Sequence, residues 1–240
     1  MIGSGPVRYG VVRQGVASKV RVTGKASRTD DTDNTRIYES RRMIYVKKLH
    51  ITLAGTGTLM MHSPKTVNPL HPLALELKKY TSKRKKSEDD LQKISELEWE
   101  AGLYYDEANG LHIPVECLQK TLVNGAKLFK AGKDIERYVQ FTGAVAPLDI
   151  GVAFDLDKMR HDMKYYDVRA VAVMRARVIR TRPRFDVWRC AFDIIYDNEH
   201  IDVETIARAF ENAGQYVGLC EARSLGYGRF CARIDEVPMD

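Results

Sequence analysis

With 240 residues and 44% hydrophobic content, the chain can bury a core as one domain with insertions or as two small domains. It has no run of about 18 apolar residues, which excludes a transmembrane helix. Its four cysteines (Cys117, Cys190, Cys220, Cys231) form no CxxC pair, which speaks against structural zinc or a disulfide framework and for a reducing cytoplasm. The net charge of +6 is uneven: residues 1–42 hold nine Lys or Arg against four Asp or Glu, and the remainder holds 29 against 28. A near-neutral body disfavours a general nucleic-acid coat and favours a local basic groove.

Residues 1–42 read as a separate basic arm. Val7 to Val22 has the β-formers of a weak hairpin, and Ser27 to Thr35 is polar without an apolar anchor. Asp30, Asp31 and Asp33 lack the glycine and distal glutamate of a calcium loop, so no metal site is expected there. The folded body is expected over 43–240, and Met43 is an alternative start. Leu49, Ile51 and Leu53 alternate with His50, Thr52 and Ala54 as a strand, closed by Gly55-Thr-Gly57. A proline-punctuated loop follows through His62 and His71, two lone histidines without an acid at ligand spacing. A helical insertion is expected over about 73–130. It has a short helix with Leu73, Leu77 and Tyr80 on one face, then a second helix capped by Ser87 with Leu91, Ile94, Leu97 and Ala101 in a stripe. Between them lies the run Lys83-Arg84-Lys85-Lys86, either a solvated helix tip or a phosphate clamp. Asn109-Gly110 marks a hairpin turn, Pro114 suits a first helical position, and Leu118, Leu122, Ala126 and Phe129 recur at i,i+4 up to a stop at Gly132.

Tyr138 to Val145 reads as a strand, and Asp149 to Lys164 as an acidic irregular stretch. Residues 167–197 read as one β-hairpin. Its first strand and turn carry Arg175, Arg177, Arg180, Arg182 and Arg184. Its second strand places Trp188, Cys190, Phe192, Ile194 and Tyr196 on one face. Arginines beside exposed aromatics would make a platform for a single strand; the same pattern also describes an edge guarded by charge. Asp202 caps a helix with Ile206, Ala207, Phe210 and Ala213 inward, ended by Gly214, and a strand runs from Phe230 to Val237. Between that helix and strand lies Gly218-Leu-Cys-Glu-Ala-Arg-Ser-Leu-Gly-Tyr-Gly-Arg229, where glycines permit close approach and arginines offer planar forks to phosphate.

This segment resembles the C-terminal glycine-rich signature of the RAMP superfamily, the RNA-recognition-motif-like subunits of CRISPR effector complexes. The residues carrying it are Gly218, Arg223, Gly226, Tyr227, Gly228 and Arg229. The strand Leu49 to Leu53 with Leu59-Met60-Met61-His62-Ser63 also resembles the opening of the backbone subunit, so the likeness spans about 43–75 and 185–237. Cys220 departs from the small residue usual early in the loop, and the loop after the first strand has no aspartate of the RNA-cutting kind. The chain is also similar to phage proteins of this length. The resemblance implies an α+β, ferredoxin-like (RRM-like) βαββαβ core with a helical insertion, in a bacterial or phage-infected cell. It implies binding of single-stranded RNA or DNA, RNA favoured, in repeated copies along the strand or beside other effector subunits, without cofactor, metal or membrane. The binding residues would be Arg175, Arg177, Arg180, Arg182, Arg184, Arg223, Gly226, Tyr227, Gly228 and Arg229, with Lys83, Arg84, Lys85 and Lys86 as a peripheral clamp. Two alternatives stay open. One is a metal-independent RNA endonuclease with His62 as acid or base and His50 behind it. The other is a structural or protein-interaction subunit without nucleic acid.

Overall fold

The computed structural model describes residues 46–173 and 176–239. The arm at 1–42 with its hairpin and Asp30, Asp31 and Asp33, the start at Met43, and Arg175 lie outside the described residues.

Strand β1 (Val46–Gly55) organises the larger sheet. Alternation puts Leu49, Ile51 and Leu53 wholly inside while their neighbours stay partly exposed. At roughly 1.5–3 kcal/mol per fully buried aliphatic side chain, these three residues alone bind the strand firmly to the core. β9 (Arg189–Asp197) and β10 (Phe230–Val237) flank β1, both antiparallel, with Ile51 opposite Phe192 on one side and Ile234 on the other. The far edge of β9 is shared by two short strands. β5 (Val139–Phe141) pairs at Tyr196, and β6 (Val145–Asp149) pairs at Cys190. β6 passes the sheet on to β4 (Gly110–Pro114) and β3 (Tyr105–Asp106). Helices α3 (Val115–Lys127) and α6 (Val203–Asn212) pack together, and Leu118, Leu122, Ile206 and Phe210 join Leu49, Ile51, Leu53 and Phe192 in one core cluster.

A second sheet has the order β2 (Leu59–Met60), β8 (Ala176–Phe185), β7 (Tyr166–Val173). Helix α1 (Pro72–Thr81) packs on α2 (Glu88–Gly102), which packs on β8. Trp99 of α2 is fully buried, stacks on Tyr166 at 5.5 Å, and donates from its indole nitrogen to the Tyr165 carbonyl at 2.9 Å. Two further α-helices are short, α4 (Gly132–Tyr138) and α5 (Leu156–Arg160).

The α+β class stands, as do the first strand, the Asn109-Gly110 turn and the caps at Ser87 and Asp202. Ser87 makes a full capping box with Asp90, and Asp202 accepts from the Thr205 amide at 2.7 Å. Within the span 73–130, β3 and β4 form the hairpin around the Asn109-Gly110 turn and divide the helices, as expected. Other readings are corrected. Leu91 is exposed, and the inward side of α2 is set by Leu97, Trp99 and Ala101. Pro114 is the N-cap of α3 rather than its first residue. That helix is stopped by Lys130 at φ +67°, while Gly132 opens α4. The strand expected over 138–145 breaks at Thr142, whose amide and hydroxyl both bond the Asp193 carbonyl. Gly214 does not end α6: the helix runs on as a π turn over Ala213–Val217, and a β-carbon on Gly214 would stand 2.1 Å from the Phe230 carbonyl. Asp155 and Asp162 of the acidic stretch are local caps, accepting from the amides of Lys158 and Lys164.

Residues 167–197 are not one hairpin. β8 pairs with β7 and β2, whereas β9 belongs to the larger sheet. The apolar face of β9 points into the core: Trp188, Cys190, Phe192, Ile194 and Tyr196 are all buried, so it is no exposed aromatic platform. Four large side chains, Trp188 just before the strand and Phe192, Ile194 and Tyr196 on it, are held more strongly by the core than by an exposed edge.

Candidate nucleic-acid interface

On β8, Arg180, Arg182 and Arg184 alternate with buried Thr181, Pro183 and Phe185, so the strand period carries the three guanidinium groups together. Across the ladder on β7, Arg169 opposes Arg180 and Asp167 opposes Arg182. Arg169 was not among the expected binding residues. Its place beside the row depends on the register of the β7–β8 hairpin, which spacing along the chain does not specify.

Each of these arginines has a carboxylate. Asp167 takes two bonds from Arg169, and Glu98 of α2 accepts from both Arg180 and the Thr181 amide. Glu221 lies 3.5 Å from Arg182, and Asp186 accepts from Arg184 at 2.7 Å. Asp167 first, then the Tyr227 hydroxyl, raises the Arg169 pKa further. Arg184 first, then the Thr58 hydroxyl, holds the Asp186 carboxyl below its usual range. The row is therefore a matched array rather than a bare cationic strip. Arg177, Arg223 and Arg229 form no ion pair among the described residues, and Arg177 is exposed.

The glycine loop meets this row. Tyr227 bonds Arg169 through its hydroxyl at 2.7 Å and lies under the Arg169 guanidinium, 5.1 Å from the ring centre. Backbone bonds clamp the loop to the residues after β1 and to β2: Gly228 donates to Thr58 at 2.8 Å, Glu221 to Met60 at 3.0 Å, and Thr56 to Arg229 at 2.8 Å. Gly228 has φ +68°, and a β-carbon there would lie 2.1 Å from the Leu219 carbonyl. Gly226 has φ +88° with open space where a side chain would go, so it leaves the loop surface bare. Two residues that are not glycine, Cys220 and Ala222, also take positive φ, which marks the loop as strained.

Three guanidinium nitrogens in this region are buried without an acceptor: Nε of Arg182, Nε of Arg184 and Nη1 of Arg229. The other amino group of Arg229 only reaches the Arg223 carbonyl at 3.4 Å. Buried donors left unmet cost about 1–3 kcal/mol each.

A cleft of about 440 Å³ opens beside the row, lined by His62, Glu98, Val171, Arg180, Thr181 and Arg182 among others. Loss of hydration, then the Arg182 charge, lowers the His62 pKa and favours neutral imidazole, although the side chain keeps solvent contact. Its backbone carbonyl accepts from the Tyr104 hydroxyl at 3.2 Å. His50 is engaged elsewhere, 2.7 Å from Asp193 on β9, and His71 caps α1 by accepting from the Leu73 amide. The Lys83, Arg84, Lys85, Lys86 run forms the exposed α1–α2 turn. Lys83 is committed to Asp90 at 2.6 Å, and the run shares no hydrogen bond or ion pair with β8 or the glycine loop among the described residues. Among those residues no helix is long and apolar enough to cross a membrane.

No protein-family model matches the chain, and no curated protein does. Among solved structures the chain is similar to one from the cryo-EM structure of the Type III-B Cmr-beta bound to cognate target RNA. The two share 12% sequence identity and a TM-score of 0.41, over 86% of this chain and 66% of the other.

Proposed function

We propose that this chain is a RAMP-type binder of single-stranded nucleic acid, RNA in preference to DNA, without catalysis of its own. One observation carries the proposal. The arginine row and the glycine loop converge, Tyr227 bonding Arg169 and Glu221 lying 3.5 Å from Arg182, which gathers several guanidinium groups in one region. A phosphate backbone offers guanidinium groups acceptors repeatedly and bidentately. The fold order supports the same reading. With β5 on β9, the sequence β10, β1, β9, β5 places fourth, first, third and second strands side by side. α3 lies between β1 and β5 in the chain, among the inserted elements, and α6 lies between β9 and β10, the helix positions of a ferredoxin-like βαββαβ unit. The RAMP kinship rests on Gly218, Arg223, Gly226, Tyr227, Gly228 and Arg229. Assembly in copies along a strand, or with other effector subunits, belongs to this proposal, as does a peripheral contact from Lys83 to Lys86.

The test is binding of labelled single-stranded RNA and DNA of equal length over a salt series. Changing Arg182, Arg184 and Arg229 to Ala should flatten the log K against log salt slope by about 0.7 for each phosphate no longer neutralised, so by about 2 in all. An unchanged slope removes this site. No binding by the unaltered chain at low salt leaves a scaffold or protein-interaction subunit.

The cleft favours a second reading, a metal-independent RNA endonuclease. A neutral imidazole beside arginine has the parts for abstracting a 2′-hydroxyl proton and stabilising the phosphorane charge. Because the His62 pKa is lowered, activity as a base would persist below the usual imidazole value of about 6.5 and fall only at lower pH. His62→Ala should abolish cleavage; equal cleavage by that variant sinks the reading.

A further inference from the structure

Strand β10 lies at one edge of the larger sheet. Among the described residues it pairs with β1 and with no other strand. Two bonds fix the direction of its backbone groups. Thr56 donates to the Arg229 carbonyl at 2.8 Å, and on the other side of β1 Gly55 donates to the Trp188 carbonyl at 2.9 Å. Even-numbered residues of β1 therefore bond towards β10, which turns the N–H and C=O of Cys231, Arg233 and Asp235 to β1. Those of Ala232, Ile234 and Glu236 point out of the sheet, a template for an added strand. No proline or glycine interrupts residues 230–237. Beside this edge a groove of about 1120 Å³ lies between β10 and α6, with Ala207, Glu211, Gly214, Phe230, Ala232 and Ile234 in its walls. It leaves room for the side chains of a further strand.

The charges on β10 select what that strand is. Arg233 and Asp235 share the face turned away from the groove, with Arg233 Nε 2.9 Å from Asp235 Oδ2. In an antiparallel pair, residues that bond across the new edge can oppose only residues that do the same. A two-fold axis between two copies of β10 therefore falls at one residue and its own equivalent. At Arg233, Asp235 or Glu236 it sets like charges face to face, and at Ala232 it leaves Arg233 facing Cys231. At Ile234 it sets Arg233 opposite Asp235 of the second copy, and Asp235 opposite Arg233 of the second copy. Side chains so opposed stand about 4.5–5.5 Å apart at Cβ. The four charges then alternate in sign around the axis.

We propose that β10 is a homodimer edge: two copies of this chain pair their β10 strands antiparallel about a two-fold axis at Ile234, so that the larger sheet continues from one copy into the other. A two-fold contact uses the same patch twice and has to be complementary to itself. The Arg233–Asp235 spacing on either side of Ile234 supplies that property, which pairing with an unrelated strand does not require. On the groove face the two Ile234 side chains meet, beside the wall that Ala207 of α6 supplies.

The test is analytical ultracentrifugation of the nuclease-treated full-length chain over a micromolar concentration series. The expected species at the upper end has twice the 27.3 kDa mass of the chain. Arg233→Asp and Asp235→Arg should each raise the dimer dissociation constant about tenfold or more, because like charges then face each other on both sides of the axis. Mixed in equal amounts, the two variants should form a heterodimer of about the unaltered affinity, since the acids of one copy face the bases of the other. The double variant Arg233→Asp, Asp235→Arg should dimerise as the unaltered chain does, with circular dichroism checking the fold of every variant. A chain that stays monomeric overturns the proposal. So does a dimer that neither single variant weakens, or one that mixing the variants does not restore. Nucleic acid is absent from the measurement, so failure of the binding proposal does not affect it, and success there does not rescue it.

Discussion

The residues that shape the glycine loop differ in what they are needed for, and substitution separates them. Gly228→Ala meets both an unfavourable φ and the Leu219 carbonyl at 2.1 Å, whereas Gly226→Ala meets only the φ. A left-handed alanine costs about 1–2 kcal/mol. Gly226→Ala should lose about that much in urea unfolding, and Gly228→Ala distinctly more; equal losses would mean that the loop relaxes away from Leu219. Asp193 makes a pH prediction. Bonds from His50 first, and from Lys48, hold its carboxyl below the ordinary value. A depressed folded pKa gives stability that is complete above the unfolded value of about 3.9 and is lost as pH falls through the lower folded value. Asp193→Asn should therefore reduce the fall in melting temperature below about pH 4, and an identical acid profile would remove this pair as its source.

At the scale of elements, local chemistry explains where the helices begin better than where they end. Ser87 and Asp90 exchange bonds at the start of α2, at 3.2 and 3.1 Å. Ser87→Ala should cost about 1 kcal/mol in thermal unfolding, and a change near zero would show that packing of Trp99 alone holds that end. Ser87 and Asp202 were legible as caps because a side chain within three residues satisfies the orphan amides. The ends were not: Lys130 takes the left-handed turn that glycine usually marks, closed locally by the Ala131 amide on the Ala126 carbonyl, and the Ala213–Val217 π turn packs on α3 and β10. β8 is the clearest case. Its arginine alternation was readable, but its partners were not, since register and strand choice depend on contacts with β2, β7 and α2.

For the whole molecule, a near-neutral body and a local basic face are compatible because the charge is matched pair by pair. Glu98, Asp167, Asp186 and Glu221 each pair with one arginine of the row, while Arg223 and Arg229 of the glycine loop form no ion pair among the described residues. Such a surface gains affinity from directed donors more than from net field. The salt slope separates the two contributions, because it counts only the phosphates whose charge is neutralised. Convergence of β8 and the glycine loop brings together residues about forty positions apart in the chain. Either segment alone reads as ordinary, a charged strand or a turn-rich loop.

Composition, period-two alternation and capping residues were enough to determine the α+β class, the central strand at Leu49 to Leu53, the Asn109-Gly110 turn and the loop from Gly218 to Arg229. These are local properties, set by backbone sterics and by which side of one element is apolar. Only the tertiary structure decided that the aromatic face of β9 is core, that Arg169 joins the arginine row, that Glu98 reaches Arg180, and that Thr121 of α3 reaches the Gly218 carbonyl. Each of those depends on which distant segment fills a given space, and burial free energy summed over many side chains settles that against any single local preference.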